Sequence, residues 1–140
     1  MTVKDLSQLY WLNREIERER EHLRELEASA TNGTTRITGL PYAGAMSDKT
    51  ALWAAIADTR AAIEAKINLS VVEYNKLSRY IATVDDSLMR QILTLRFVEG
   101  MSWRKVARSI GGGNTEDSVK QACSRFLRKD ETCHECHDPM

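Results

Sequence analysis

Side chains that can hydrogen-bond nucleotides are concentrated between residues 104 and 129. They are Arg104, Lys105, Arg108, Asn114, Thr115, Ser118, Lys120, Gln121, Ser124, Arg125, Arg128 and Lys129. Arginine and lysine can bond guanine or phosphate, glutamine can bond adenine, and serine can bond either bases or phosphates. Because these residue types match the hydrogen-bonding groups of double-stranded DNA, we predict that they form a DNA-binding surface.

The distribution of charge favours the same surface. The chain as a whole is neutral, with 20 basic and 20 acidic residues. Residues 101–129 hold seven basic and two acidic side chains, a net charge of +5, whereas residues 13–27 hold four basic and six acidic ones, a net charge of −2. A basic segment in a neutral chain is the electrostatic footprint expected for a polyanionic partner.

Residues 85–130 predict three consecutive helices, of which the last two form a helix-turn-helix. Each has a residue suited to its N-cap: Asp85 or Asp86, then Ser102, then Thr115. Gly111 stands in the turn, where a positive φ is expected. A helix-turn-helix places its second helix in the major groove of DNA, so helix 115–129 is predicted to contact the bases.

Apolar residues repeat at helical spacing on one side of each predicted helix. The expected inward residues are Leu88, Ile92, Leu95 and Phe97 or Val98, then Val106, Ala107 and Ile110, then Val119, Ala122 or Cys123, Phe126 and Leu127. The small side chain of Ala107 would let the last helix cross closely. A three-helix packing unit whose basic face is merely solvated has the same pattern, and this alternative stays open.

Residues 1–84 predict two long helices. The first covers residues 3–28, and its apolar rows hold Leu9, Ile16 and Leu23, with Leu12 and Leu26 beside them. Glu19 interrupts the second of these rows. Since the apolar stripe is narrow, this helix needs a partner helix to be stable.

The second long helix is predicted to open near Ser47 or Asp48, after a glycine- and proline-containing loop over residues 30–47. Its heptad rows are Trp53, Arg60, Ile67, Tyr74 and Ile81, and Ile56, Ile63, Ser70, Leu77 and Val84. Heptad rows are typical of coiled-coil-like pairing. The two helices can pair as an antiparallel hairpin in one chain or between two chains of a homodimer, and the sequence leaves both open.

The last ten residues, 131–140, are predicted to be a flexible tail. Cys133, Cys136 and His137 would supply three of the four ligands of a structural zinc site. One Cys-x-x-Cys pair without a second indicates metal only weakly, so we expect no metal and no cofactor. We also expect no enzymatic activity, because the sequence offers no nucleophile–base pair, phosphate-binding strand–glycine loop or acidic metal cluster.

The chain is expected to be cytoplasmic. It has no apolar segment long enough to span a membrane, and its first residues lack the layout of a signal peptide. Its cysteines should then stay reduced, with Cys123 as a small core residue.

The segment LTLRFVEGMSWRKVARSIG, followed by TEDSVKQACSRFLRK, resembles region four of bacterial sigma factors. It resembles still more the small phage and prophage proteins of Firmicutes that carry a region-four-like module, described as sigma factors or as ArpU/RinA-like late-gene transcriptional regulators. The first helix, the loop from Ile37 to Pro41 and the second helix share this likeness. The resemblance implies double-stranded DNA and bacterial RNA polymerase as partners.

Aligned on Val119, the resemblance implies base or phosphate contacts at Glu116, Asp117 and Lys120. The chain departs from region four in two respects. Glu116 stands where a basic residue is usual, and the step from Ala107 to Val119 is two residues longer than usual, a length that the glycines at 111–113 absorb. These departures argue against recognition of an ordinary −35 promoter element.

Together these patterns predict an all-α, sequence-specific regulator of transcription of the phage type. A phage DNA-packaging accessory similar to a terminase small subunit is an alternative, because such proteins also join a helix-turn-helix to helical oligomerisation segments. A helical adaptor that binds another protein through its long helices is a third hypothesis. Binding to duplex DNA at low salt and the number of chains in the assembly would discriminate among them.

Overall fold

The chain is helical in a computed structural model that describes residues 1–31 and 45–135, with side chains described for 1–31 and 49–132. The helices are α1 (Val3–Leu6), α2 (Gln8–Thr31), α3 (Ala45–Ala82), α4 (Ser87–Leu93), α5 (Trp103–Ile110) and α6 (Glu116–Glu135). A π-helical turn over Thr94–Val98 follows α4 directly. Since the described ranges hold no strand, the predicted all-α class is confirmed. Within those ranges, no helix is both long and apolar enough to cross a membrane.

The first predicted helix begins at residue 3 as expected, but the other bounds of the long helices differ from those predicted. The first predicted helix is divided into α1 and α2, and α2 continues to Thr31. α3 begins at Ala45 instead of near Ser47 or Asp48. Alanine has the highest intrinsic helix propensity, which favours this earlier start. Both ends of the predicted loop, 30–47, are therefore helical, and the rest of that loop lies outside the described residues.

The chain divides into two compact units. The central unit is Leu12–Leu69, and the terminal unit combines Met1–Trp11 with Ser70–Met140. The terminal unit therefore draws on both sides of residue 84, where the sequence analysis set a boundary.

In the central unit, α2 and α3 run side by side in opposite directions. Glu27 pairs with Arg60 at 2.6 Å, and Glu15 pairs with Lys66 at 3.2 Å. Because residue numbers rise along one helix as they fall along the other, this pairing is antiparallel and lies within one chain. Lys66 also donates a hydrogen bond to Glu19, the residue that interrupts the apolar row of α2.

The heptad rows predicted for α3 are only partly buried. Ile56 and Ile63 are buried in the central unit. Trp53 in the same unit and Tyr74 in the terminal unit are 53% and 48% exposed. A single partner helix covers one stripe of a helix, so the heptad pattern overstates the contact that α3 makes in the described structure.

The terminal unit has one continuous apolar core. Its buried members are Leu6, Leu9, Leu77, Ile81, Val84, Met89, Ile92, Leu93, Phe97, Val106, Ala107, Val119, Cys123 and Leu127. Within this unit, residues from α1, from the start of α2 and from the end of α3 pack against α4, α5 and α6. The segment predicted to be a helix-turn-helix therefore packs against other helices of the terminal unit.

The inward face of α4 begins one residue later than predicted. Leu88 is 47% exposed, and Met89 is buried in its place. Asp86 caps the helix by accepting a hydrogen bond from the Leu88 backbone N–H at 2.9 Å. The buried residues Met89, Leu93 and Phe97 then follow at four-residue steps, and the π-helical turn carries the last of these steps. The prediction that Leu88 faces inward was wrong.

Candidate nucleic-acid interface

The two helices of the predicted helix-turn-helix begin at capped N-termini. The Ser102 hydroxyl accepts a hydrogen bond from the Lys105 backbone N–H at 3.4 Å. At the start of α6, the Thr115 hydroxyl accepts from the Ser118 N–H at 3.2 Å, and the Ser118 hydroxyl accepts from the Thr115 N–H at 3.0 Å. The predicted caps at Ser102 and Thr115 are confirmed. Ser118, predicted to contact DNA, takes part in the second cap.

The turn between α5 and α6 has left-handed backbone conformation at three successive glycines. Their φ angles are 69° at Gly111, 66° at Gly112 and 75° at Gly113. The side-chain amide nitrogen of Asn114 donates to the Gly111 carbonyl at 2.8 Å and closes the turn. The positive φ predicted for Gly111 is confirmed, and Asn114, predicted to contact DNA, has a structural hydrogen bond.

α5 and α6 meet through small and branched apolar side chains. Val106 and Ala107 of α5 and Val119 and Cys123 of α6 are all at most 5% exposed. Burial raises the pKa of the Cys123 thiol from 9.0 to about 11. The thiol is therefore protonated at neutral pH and acts as a small apolar core group.

The opposite side of α6 is a polar surface, which we call the α6 face. It consists of Asp117, Lys120, Gln121, Ser124, Arg125 and Arg128, which line one open depression. Their spacing of three and four residues places them on one side of the helix. Lys120, Arg125 and Arg128 make no ion pair with other side chains of the described structure, so their charges are free to meet an anionic ligand.

The basic residues of α5 lie next in sequence before this helix. Arg104, Lys105 and Arg108 are exposed, as is Lys129 near the far end of the α6 face. The Nε atom of Arg104 lies 3.8 Å from the Glu116 carboxylate at the start of α6. All twelve residues predicted to contact DNA are exposed, and three of the seven basic ones, Lys120, Arg125 and Arg128, line the same depression on α6.

A hydrogen bond between α3 and α6 fixes the position of the helix that carries the α6 face. The Tyr80 hydroxyl donates to the Asp130 carboxylate at 2.7 Å, across 50 residues of sequence. Burial, and next this hydrogen bond, raise the pKa of Tyr80 well above its ordinary value of 10.0. The contact holds the second half of α6 against α3. This contact was not predicted, because no local pattern in the sequence links residues so far apart.

Arg96 supports the start of α5. Its Nη1 atom donates to the Met101 carbonyl at 2.6 Å, and its guanidinium lies 4.9 Å from the centre of the Trp103 ring. Phe97 contacts the same ring edge-on, with 6.5 Å between ring centroids. This group of contacts was not predicted. A basic residue inside an apolar stripe was the signal that could have revealed it.

The predicted zinc ligands are not tested by this structure. The side chain of Cys133 lies outside the described part, as do Cys136 and His137. Among the residues with described side chains, no group of three or more His, Cys, Asp or Glu is placed to hold a metal ion.

Comparison with known proteins gives no relative. No family model, no curated protein and no solved structure matches the chain. The resemblance to sigma region four therefore stays a prediction from the residues that carry it.

Proposed function

We propose that the chain is a sequence-specific, double-stranded DNA-binding regulator of transcription of the phage type. The observation that carries the proposal is the α6 face, on which Lys120, Arg125 and Arg128 lie exposed and without ion pairs in the described structure. These residues lie on α6, which follows a three-glycine turn, begins at a capped N-terminus and packs on α5. This order of helix, turn and helix supports the proposal of a helix-turn-helix.

In the proposed complex, α6 enters the major groove. Gln121 and Arg125 have the side chains that recognise adenine and guanine, respectively. Arg104, Lys105 and Arg108 on α5 would contact the phosphate backbone and fix the position of α6 along the groove. The activity is therefore binding and not catalysis, and it requires no cofactor.

We also propose the partners and the location that the sequence analysis predicts. A transcription regulator of this kind would work in the bacterial cytoplasm beside host RNA polymerase. A second copy of the chain, associated through the N-terminal helices, would let two α6 helices contact two half-sites. Sedimentation equilibrium measures that association directly.

Selection of bound sequences from random duplex DNA tests the proposal. The wild-type chain is compared with the variant Lys120→Ala/Arg125→Ala/Arg128→Ala, which removes the three free charges of the α6 face. The matched control, Arg18→Ala/Arg20→Ala/Arg24→Ala, removes three exposed arginines of α2 and changes the net charge equally.

We expect one enriched sequence with the wild type and the α2 control, and its loss with the α6 variant. Circular dichroism establishes that all three proteins are helical. If the wild type binds no duplex even at low salt, the proposal is wrong. Salt-sensitive binding without any enriched sequence would also contradict sequence specificity and would favour a DNA-packaging role.

A further inference from the structure

One ion pair joins the two helices of the helix-turn-helix on its exposed side. Arg104 is the second residue of α5, and Glu116 is the first residue of α6. The Glu116 Oε2 atom lies 3.8 Å from the Arg104 Nε atom, and the two side chains are 49% and 79% exposed. Exposed pairs of this kind are weak, so the pair can open when another anion approaches Arg104.

The first turn of α6 is a poor place for a phosphate group. Glu116 and Asp117 put two carboxylates there, and the Ser118 N–H already donates to the Thr115 hydroxyl. A helix N-terminus attracts anions through free N–H groups and the positive end of the helix dipole, and here both are partly occupied. A DNA backbone that approaches α5 would therefore meet Glu116 as a repulsive charge.

We infer that the Glu116–Arg104 ion pair is an autoinhibitory contact that weakens the sequence-independent part of DNA binding. The inference rests on the proposed function. A DNA phosphate and the Glu116 carboxylate compete for the same guanidinium, so Arg104 contacts phosphate only after the ion pair opens. Lower affinity for the backbone reduces occupancy of non-cognate sites, which vastly outnumber cognate ones in a genome.

Binding of the full chain to random-sequence duplex DNA over a range of salt concentrations tests this inference. Glu116→Gln should raise the affinity at low salt about two- to five-fold, as expected for removal of a weak competing pair. It should also steepen the slope of log affinity against log salt by up to about 0.9, because Arg104 is then free of the competing carboxylate and can contact phosphate.

A double-mutant cycle assigns this effect to Arg104. In the wild-type background, Arg104→Ala should make the salt slope shallower by clearly less than about 0.9, because Glu116 competes with phosphate for the guanidinium. In the Glu116→Gln background, Arg104→Ala should make the slope shallower by the full value of about 0.9 for one phosphate contact. Additive effects of the two substitutions would overturn the inference.

Two control variants separate the ion pair from general charge effects. Lys105→Ala removes the neighbouring exposed charge, which has no ion pair among the described side chains. It should make the salt slope shallower by about 0.9 in both the wild-type and the Glu116→Gln background. Glu131→Gln removes an exposed carboxylate from the far half of α6 and should change neither affinity nor slope.

The possible results distinguish the inference from the function on which it rests. If Glu131→Gln raises affinity as much as Glu116→Gln does, net charge is the cause and the inference is wrong. If the wild type binds DNA but Glu116→Gln leaves affinity and slope unchanged, the inference alone fails. If no variant binds any duplex, the proposed function fails.

Discussion

At the scale of single residues, the turn between α5 and α6 needs glycine for its backbone conformation and not for space. All three residues from Gly111 to Gly113 have φ near +70°, at 69°, 66° and 75°. A Cβ atom built on Gly111 or Gly113 would meet no atom within 4 Å. The constraint is therefore the left-handed φ, which costs an L-residue with a Cβ about 1–2 kcal/mol.

We expect Gly112→Ala to lower the free energy of unfolding by about 1–2 kcal/mol. The new Cβ atom would lie 3.7 Å from the Asn114 side chain, an ordinary contact, so crowding adds nothing to this loss. Gly112→Asn should lower the free energy of unfolding by less, because asparagine adopts positive φ more readily than alanine does. Urea denaturation followed by circular dichroism measures both variants. Equal stability of Gly112→Ala and the wild type would show that the turn adopts other conformations without cost.

At the scale of elements, the sequence predicted what local chemistry determines. The caps at Ser102 and Thr115 and the positive φ of Gly111 depend on residues within four positions, and all were predicted correctly. Leu88 was assigned to the core wrongly, since it is 47% exposed and Met89 is buried instead, beside the correctly predicted Ile92 and Phe97.

Contacts between distant segments were beyond the reach of sequence patterns. Tyr80 and Asp130 are 50 residues apart, and nothing near either residue indicates the other. The Arg104–Glu116 ion pair depends on how the three-glycine turn orients α6, which helical periodicity does not specify. The composition of the α6 face was predictable, whereas the interactions that hold or restrain it were not.

Loss of the Tyr80 hydroxyl should loosen the attachment of α6 to α3. Tyr80→Phe removes one hydrogen bond to a partly buried carboxylate, and we expect a loss of about 1 kcal/mol in the free energy of unfolding at neutral pH. Tyr74→Phe is a matched control in the same helix. Tyr74 is 48% exposed, so loss of its hydroxyl should change the free energy of unfolding little.

The pH dependence of stability gives this prediction a second measurement. The pKa of Tyr80 is raised above 10.0 in the folded chain, first by burial and then by the hydrogen bond to Asp130. The unfolded chain releases this proton near pH 10.0, while the folded chain keeps it. The stabilisation is therefore complete below that pH and is lost as pH rises towards the folded pKa. Above pH 10, the free energy of unfolding should therefore fall less steeply with pH for Tyr80→Phe than for the wild type. Identical pH dependence in the two proteins would contradict the raised pKa of Tyr80.

At the scale of the whole molecule, DNA binding depends on where charge lies and not on its sum. The net charge is zero, from 20 basic and 20 acidic residues. Charges farther apart than about 10 Å are largely screened at 0.1 M salt, so binding depends on the charges close to the contact surface and not on the sum over the chain. Residues 101–129 alone carry a net charge of +5. The chain therefore has a local polyanion-binding surface without being a basic protein.

The local positive charge also predicts how the affinity for random duplex DNA changes with salt concentration. The free basic side chains on α5 and α6 should give a slope of log affinity against log salt between about −3 and −5, since each phosphate contact contributes about 0.9. The α6 variant and the α2 control of the selection experiment both have a net charge of −3, because each loses three cations from a neutral chain. Only the α6 variant should have a shallower slope. Equal slopes for these two proteins would show that net charge governs binding and that the α6 face is not the contact surface.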